Sequence, residues 1–219
     1  MPVHLSPTSC ASALLAAQSV RFIHGKIYQF ASGIASPGAY NNNRVLPSHP
    51  QQWRIVVDLM EEVTSSFRSE FDVIASVATG GIAHGIALAL RLQIPHFIVK
   101  KQPKGYGIDG LIDGAVGLLP RARVLMVEDM SSTFQSTLAA IPRVEHYNAT
   151  VTRTLAISTW GFPEFYQKVG DRNVHVLSKG SQFVDGALQE GKIDDEYAAL
   201  LKSWIENPHD ERWKNISWQ

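Results

Sequence analysis

From Phe71 onward, short apolar runs alternate with stretches of helical spacing, and this rhythm constrains the fold more than any other feature of the chain. Residues 71–77, 95–99, 123–127, 150–157 and 174–177 read as strands, with 123–127 the clearest of them. Between and after them, 82–92, a stretch ending near Ile141, and 194–205 read as helices. Pro142, which lacks a donor N–H and crowds the preceding turn, is expected to end or kink the second of these. Strands that alternate with helices belong to a parallel sheet covered on both faces, an α/β architecture. In such sheets ligands bind beyond the carboxyl ends of the strands, so the chemistry is sought there.

The residues before Phe71 differ in kind. A short helix is expected to run to Ser19, capped by Ser9 or Ser12. Residues 20–23 and 26–30 flank His24-Gly25 and read as a hairpin, whereas 32–43, rich in Gly, Ser, Pro and Asn, reads as irregular chain. Trp53, Val56, Val57, Met60, Val63 and Phe67 then lie at helical spacing over 50–67. The expected organisation is a small N-terminal hood, residues 1–45, on an α/β core, residues 46–219, that ends in a tryptophan-bearing tail.

Composition narrows the function classes. Twenty basic residues balance twenty acidic ones, so no general positive field exists to hold nucleic acid or an anionic membrane, and any anion site must be a local cluster. No apolar run approaches the roughly 20 residues that span a bilayer. One cysteine, Cys10, excludes an internal disulfide and a multi-thiolate metal site, and the eight histidines lack metalloprotease spacing. No protein-built metal site is expected. The N-terminus lacks the basic stretch of a secretory signal, so a reducing cytoplasmic setting is expected and the sequons at Asn148 and Asn215 are read as chance.

Three strand ends carry unusual residues. The strand at 123–127 runs into Glu128 and Asp129, then Met130-Ser131-Ser132-Thr133-Phe134-Gln135-Ser136, then a helix. Free backbone N–H groups at a helix start, joined by hydroxyl donors, suit a phosphate, and paired carboxylates suit sugar hydroxyls or a hydrated Mg²⁺. The alternative is a strand end followed by an ordinary Ser/Thr helix cap. At Ala78-Thr79-Gly80-Gly81, paired glycines let a backbone approach a ligand closely, though a tight strand-to-helix turn reads the same way. Lys100, Lys101 and Lys104 lie on a glycine-rich segment through Tyr106, which reads either as a cationic flap able to close over a polyanion or as a solvated basic loop. Gly105, Gly107 and Gly110 match a dinucleotide fingerprint, but the lysines separate them from any strand and no long helix follows.

Taken in order, these stretches resemble the type I phosphoribosyltransferases, and within them the orotate subgroup. Residues 127–136 are similar to that family's motif for phosphoribosyl pyrophosphate (PRPP), 100–107 to its flexible basic loop, 78–82 to its pyrophosphate turn, and 32–37 with Tyr40 to the segment that closes over the base. The resemblance implies transfer of a phosphoribosyl group from PRPP to a nitrogenous base, orotate first, with release of pyrophosphate. It implies Glu128 and Asp129 on the ribose hydroxyls, the loop from Met130 to Ser136 around the 5′-phosphate, and Thr79 and Gly80 at the pyrophosphate with Mg²⁺. Lys100, Lys101, Lys104 and Tyr106 would meet the pyrophosphate, with Lys104 and Asp129 the catalytic candidates. Ala39, Tyr40, Ser132 and Trp160 would meet the base. A homodimer is implied, because the family's flap reaches the neighbouring subunit's site.

The departures bear on the substrate. Phe134 stands where the family carries a glycine, and its side chain would crowd a phosphate unless φ is negative and the ring turns away. Ala31 and Trp160 stand where the orotate subgroup has cations, so stacking of Trp160 and Tyr40 on an uncharged base is the alternative pocket chemistry. The alternative function is a non-catalytic PRPP or nucleotide sensor that keeps the fold.

Overall fold

The computed structural model describes residues 7–101 and 110–215. Its order is α1 (Pro7–Ala16), β1 (Val20–Gln29), β2 (Ala35–Asn41), α2 (Pro50–Ser65), β3 (Val73–Val77), α3 (Gly81–Leu92), β4 (His96–Val99) and β5 (Ile112–Asp113). There follow β6 (Arg123–Met130), α4 (Gln135–Glu145), β7 (Thr150–Thr159), α5 (Pro163–Val169), β8 (Val174–Lys179), α6 (Gly180–Gln189) and α7 (Asp195–Glu206).

Six strands form the main sheet in the order β5-β4-β3-β6-β7-β8, all parallel except β5, which runs antiparallel to β4. Strand periodicity sends alternate side chains to opposite faces, and both faces are apolar. Val73, Ala75, Val77, Val124 and Met126 join Ala140 and Val144 of α4 on one face. Ile74, Leu125, Val127, Leu155 and Ile157 lie on the other, in a cluster with residues of α1, α2, α3, α6 and α7. This is the α/β sheet with helices on both faces that the alternating pattern implies. After β3 the chain moves outward to β4, whereas after β6 it moves the opposite way to β7. The carboxyl ends of β3 and β6 therefore diverge side by side, which is the crevice where ligands bind in open α/β sheets.

The N-terminal segment departs from its expected form. Residues 20–29 make one strand, not a hairpin, and pair antiparallel with β2, which lies in the segment read as irregular. The register jumps between Phe22 and Ile27, and Gly25 at φ +74 lies within the jump. Glycine in a strand marks a bulge as readily as a turn, and here it marks a bulge. The reversal falls instead at Phe30 to Ile34, whose backbones exchange a 2.9 Å hydrogen bond. The change of sheet near residue 45 is not a change of core. Leu14, Val20, Ile34 and Ala39 share one apolar cluster with Leu125, Trp160 and Trp204.

Helix α4 continues through Pro142 to Glu145. Pro142 is exposed on the last turn, where water can take the carbonyl that its missing N–H leaves free, while buried Val144 anchors the end. Sequence reasoning missed α5, α6 and the two-residue β5, although Phe183, Val184 and Ala187 bury one face of α6 at helical spacing. Asp194 caps α7, its carboxylate accepting from the Tyr197 N–H at 2.8 Å.

Candidate active site

The four apolar residues 124–127 are fully buried, and their strand delivers Glu128 and Asp129 to the crevice. Opposite, the chain leaves β3 through Ala78-Thr79, a cis peptide, into Gly80 at the start of α3. A Cβ on Gly80 would lie 2.0 Å from the Asp129 carboxylate, so only glycine lets the β3 turn and this acid meet. Thr79 is exposed at the same turn.

The two acids differ. Glu128 is 5% exposed and accepts from the Thr137 hydroxyl at 3.2 Å. Burial, then the neighbouring Asp129 carboxylate, push its carboxyl well above the usual range, outweighing Thr137 and Lys101. Asp129 opens toward the crevice, with the Arg44 guanidinium 3.9 Å away. The Asp129 backbone is fixed from the hood side. Asn43 donates to its carbonyl at 2.6 Å and to the Ser158 hydroxyl at 2.7 Å, and itself accepts from Ser19 at 2.6 Å. One turn along α3 from Gly80, His84 is fully buried, and burial lowers its pKa despite the Asp129 charge. Asn43 and Arg44 escaped sequence reasoning because they lie at the end of the stretch read as irregular chain.

The loop from Ser131 to Phe134 joins β6 to the N-terminus of α4. It is pinned from β7, with the Ser131 N–H donating to the Ser158 carbonyl at 2.9 Å and the Thr159 hydroxyl to the Ser131 carbonyl at 2.6 Å. Phe134 sits at φ +62, ψ 2, the left-handed conformation that glycine adopts freely. Of the two conditions for leaving the phosphate room, a negative φ is thus not met. The ring nonetheless turns away, 1% exposed and edge-on to Phe165 of α5 at 5.9 Å. A cavity of about 450 Å³ opens over this loop, lined by Met130 to Ser136, by Ala31, Ser32 and Ile34 of the hood turn, and by Glu164, Lys168 and His209.

Other sequence candidates lie differently. Trp160 does not face a ligand: it is 1% exposed, stacked on Phe30 at 6.2 Å and edge-on to Trp204 and Phe183. Its position at the end of buried β7 turns it into the core, so it is corrected here from a base-binding to a core residue. Ala39 is likewise wholly buried, opposite Phe22 in the hood, and offers no side-chain surface to a base. The Tyr40 ring lies beside Tyr28 and under the Arg21 guanidinium, 5.0 Å from its centroid, and does not line the cavity. Lys100 is engaged, its ammonium 2.7 Å from Asp113 and its carbonyl accepting from Arg143. Lys101 is exposed at the end of the described chain, while Lys104 and Tyr106 lie outside the described residues. The C-terminal helix holds the hood in place, with the Tyr197 hydroxyl donating to the Pro37 carbonyl at 2.7 Å and the Trp204 indole to the Ala35 carbonyl at 2.8 Å.

An acid pair and a hydroxyl-lined helix start at the switch point of a parallel sheet, under an antiparallel hood, define a phosphoribosyltransferase of the type I fold. Solved structures agree on the fold. Leishmania donovani UMP synthase superposes with a TM-score of 0.75 at 20% identity, over 92% of this chain and 42% of that one. Orotate phosphoribosyltransferase from Aeropyrum pernix superposes with a TM-score of 0.68 at 24% identity, over 84% and 99%. No family model matches the chain. Sequence relatives are more specific: an orotate phosphoribosyltransferase of Coxiella burnetii is 32% identical over 209 residues, covering 94% of this chain and 98% of that protein. One from Streptococcus gordonii is 33% identical over 189 residues, covering 85% and 88%. The chain belongs to the orotate phosphoribosyltransferase family.

Proposed function

We propose that the protein transfers the phosphoribosyl group of PRPP to orotate, forming orotidine 5′-monophosphate and pyrophosphate. The observation that carries this reading is the meeting of Asp129 with Gly80 at the sheet's switch point, beside the hydroxyl loop and beneath the hood. Phe134, which stands where the family carries a glycine, has its ring buried against Phe165 and not over the loop.

In this reading Asp129 and Glu128 hold the ribose hydroxyls. Burial, then the Asp129 charge, shift Glu128 toward its neutral form, so Asp129 is the stronger acceptor of the two. Ser131, Ser132, Thr133, Gln135 and Ser136 surround the 5′-phosphate with hydroxyl, amide and backbone donors. The ring nitrogen attacks the anomeric carbon as the pyrophosphate leaves, so positive charge develops on the ribose and negative charge on the leaving group, as in glycoside cleavage. Thr79 and Gly80 meet the pyrophosphate. Lys101 and Lys104 offset its charge, joined by Lys100 once it leaves Asp113. Ser132, with Ala31, Ser32 and Ile34 of the hood turn, borders the base.

Among the described residues no three His, Cys, Asp or Glu side chains cluster to hold a metal. One or two carboxylates with room for water fit Mg²⁺, which binds through such groups together with substrate phosphates. The ion would be held mainly through the pyrophosphate of PRPP at Thr79 and Gly80, with Asp129 as the nearby carboxylate, and would neutralise diphosphate charge when bound. A homodimer belongs to the same reading: Ile86 and Leu90 stand exposed one turn apart on the outer face of α3, an apolar strip that a second copy would cover. No described helix is long and apolar enough to cross a membrane. The single buried cysteine, its thiol pushed up to about 12 by burial, suits a cytoplasmic enzyme.

Absorbance of orotate in the presence of Mg²⁺ and PRPP tests the activity. The expected result is PRPP-dependent, saturable loss of orotate with little change in uracil or adenine. PRPP binding without consumption of any of these bases would refute turnover.

A further inference from the structure

The cavity over the phosphate loop holds charges that no role above uses. Glu164 and Lys168 stand one turn apart on α5, and between them Phe165 packs against Phe134. The ring that replaces the loop's expected glycine thus docks α5 onto the loop and brings Lys168 to the rim of the cavity. His209, from the segment after α7, reaches the same rim, with its Nε2 2.5 Å from Glu164 Oε1. Lys168 is the only lysine or arginine among the described lining residues, His209 the only histidine and Glu164 the only acid.

We propose that Lys168 supplies the positive charge of the subsite for the substrate's 5′-phosphate, beside His209, an imidazole held in place by Glu164. This rests on the phosphoribosyltransferase reading and adds to it a source of charge. A phosphate monoester carries close to two negative charges at neutral pH. Hydroxyls and backbone N–H groups of the loop supply directed donors but no full positive charge to offset them. A lysine ammonium is a compact point charge suited to phosphate, and charge-assisted bonds to it are the stronger kind. An acid in such a cavity would repel the ligand. Glu164 is tied instead through its Oε1 to His209 Nε2, and Lys168 one turn further along α5 sets a full positive charge against it at the rim of the cavity. Phe134 then has a positive purpose, because its ring is the contact that holds the charged helix against the loop.

Calorimetric titration of orotidine 5′-monophosphate and of orotidine separates phosphate recognition from base and ribose recognition. Lys168→Ala should weaken the nucleotide about tenfold, as loss of a charged hydrogen bond does, and leave the nucleoside unchanged. Lys168→Arg should restore most of the loss, and His209→Gln should give a smaller loss of the same selectivity. Equal weakening of nucleotide and nucleoside would assign these side chains to the base and overturn the proposal. Unchanged nucleotide affinity in Lys168→Ala would overturn the subsite alone. Wild-type protein that binds neither ligand would refute the phosphoribosyltransferase reading, and the subsite with it.

Discussion

Replacing Phe134 separates two things its position combines, a buried ring and a backbone suited to glycine. The ring is 1% exposed and packs on Phe165, and the backbone sits at φ +62. Truncating a buried phenylalanine to alanine costs about 3–5 kcal/mol in lost burial and cavity. Alanine keeps the left-handed strain of about 1–2 kcal/mol that glycine relieves. Glycine also raises unfolded-state entropy, but at a positive φ the relief outweighs that cost. Phe134→Gly should therefore be more stable than Phe134→Ala by roughly 1 kcal/mol, the reverse of the order at most buried sites. For a chain of this size, 1 kcal/mol shifts the melting midpoint by about 2–4 °C, so the alanine variant should melt roughly 6–20 °C below wild type. Urea and thermal unfolding of wild type, Phe134→Ala and Phe134→Gly measure the series. An alanine variant as stable as the glycine variant would refute the left-handed backbone, and a loss below 1 kcal/mol in either would refute the buried ring.

Two other substitutions probe the acid pair and the hood. Because the folded Glu128 carboxyl titrates above its unfolded value, its burial is tolerated in acid and destabilises the fold progressively as pH rises past the ordinary carboxyl range. Glu128→Gln should accordingly raise the melting midpoint of the ligand-free protein at pH 7–8 and give no gain near pH 4; a gain independent of pH would contradict the buried, protonated carboxyl. Tyr197→Phe removes the hydroxyl that holds the Pro37 carbonyl, and a hydrogen bond of this kind is worth about 1 kcal/mol. Steady-state kinetics should show KM for the base raised several-fold with KM for PRPP unchanged, and equal changes in both would remove Tyr197 from hood positioning.

The sheet and its ligand-binding edge were legible because buried parallel strands write themselves as short apolar runs, and β6 ends abruptly in two acids and a row of hydroxyls. Gly80 was legible for the same local reason. The strand pairing inside the hood was not, since its bulge at Gly25 carries the residue signature of a turn and β2 contains Pro37 and Gly38, which propensity assigns to loops. Trp160 shows a different limit. Sequence position put it at a strand end near the site, but which way a side chain there turns depends on Phe30, Phe183 and Trp204, which are brought to it only by the complete fold. Arg44, Asn43, Lys168 and His209 reach the site from an isolated turn, a short helix and the segment after α7, where no periodicity marks them.

The claim that a phosphorylated sugar is gripped at the end of β6 is tested most directly by calorimetric titration of Mg·PRPP into wild type and Asp129→Asn. Wild type should give saturable heat, and the variant, which keeps the shape but loses the charge, should bind about tenfold more weakly. No heat from wild type at millimolar PRPP, or equal affinity in the variant, would contradict the assignment of this site.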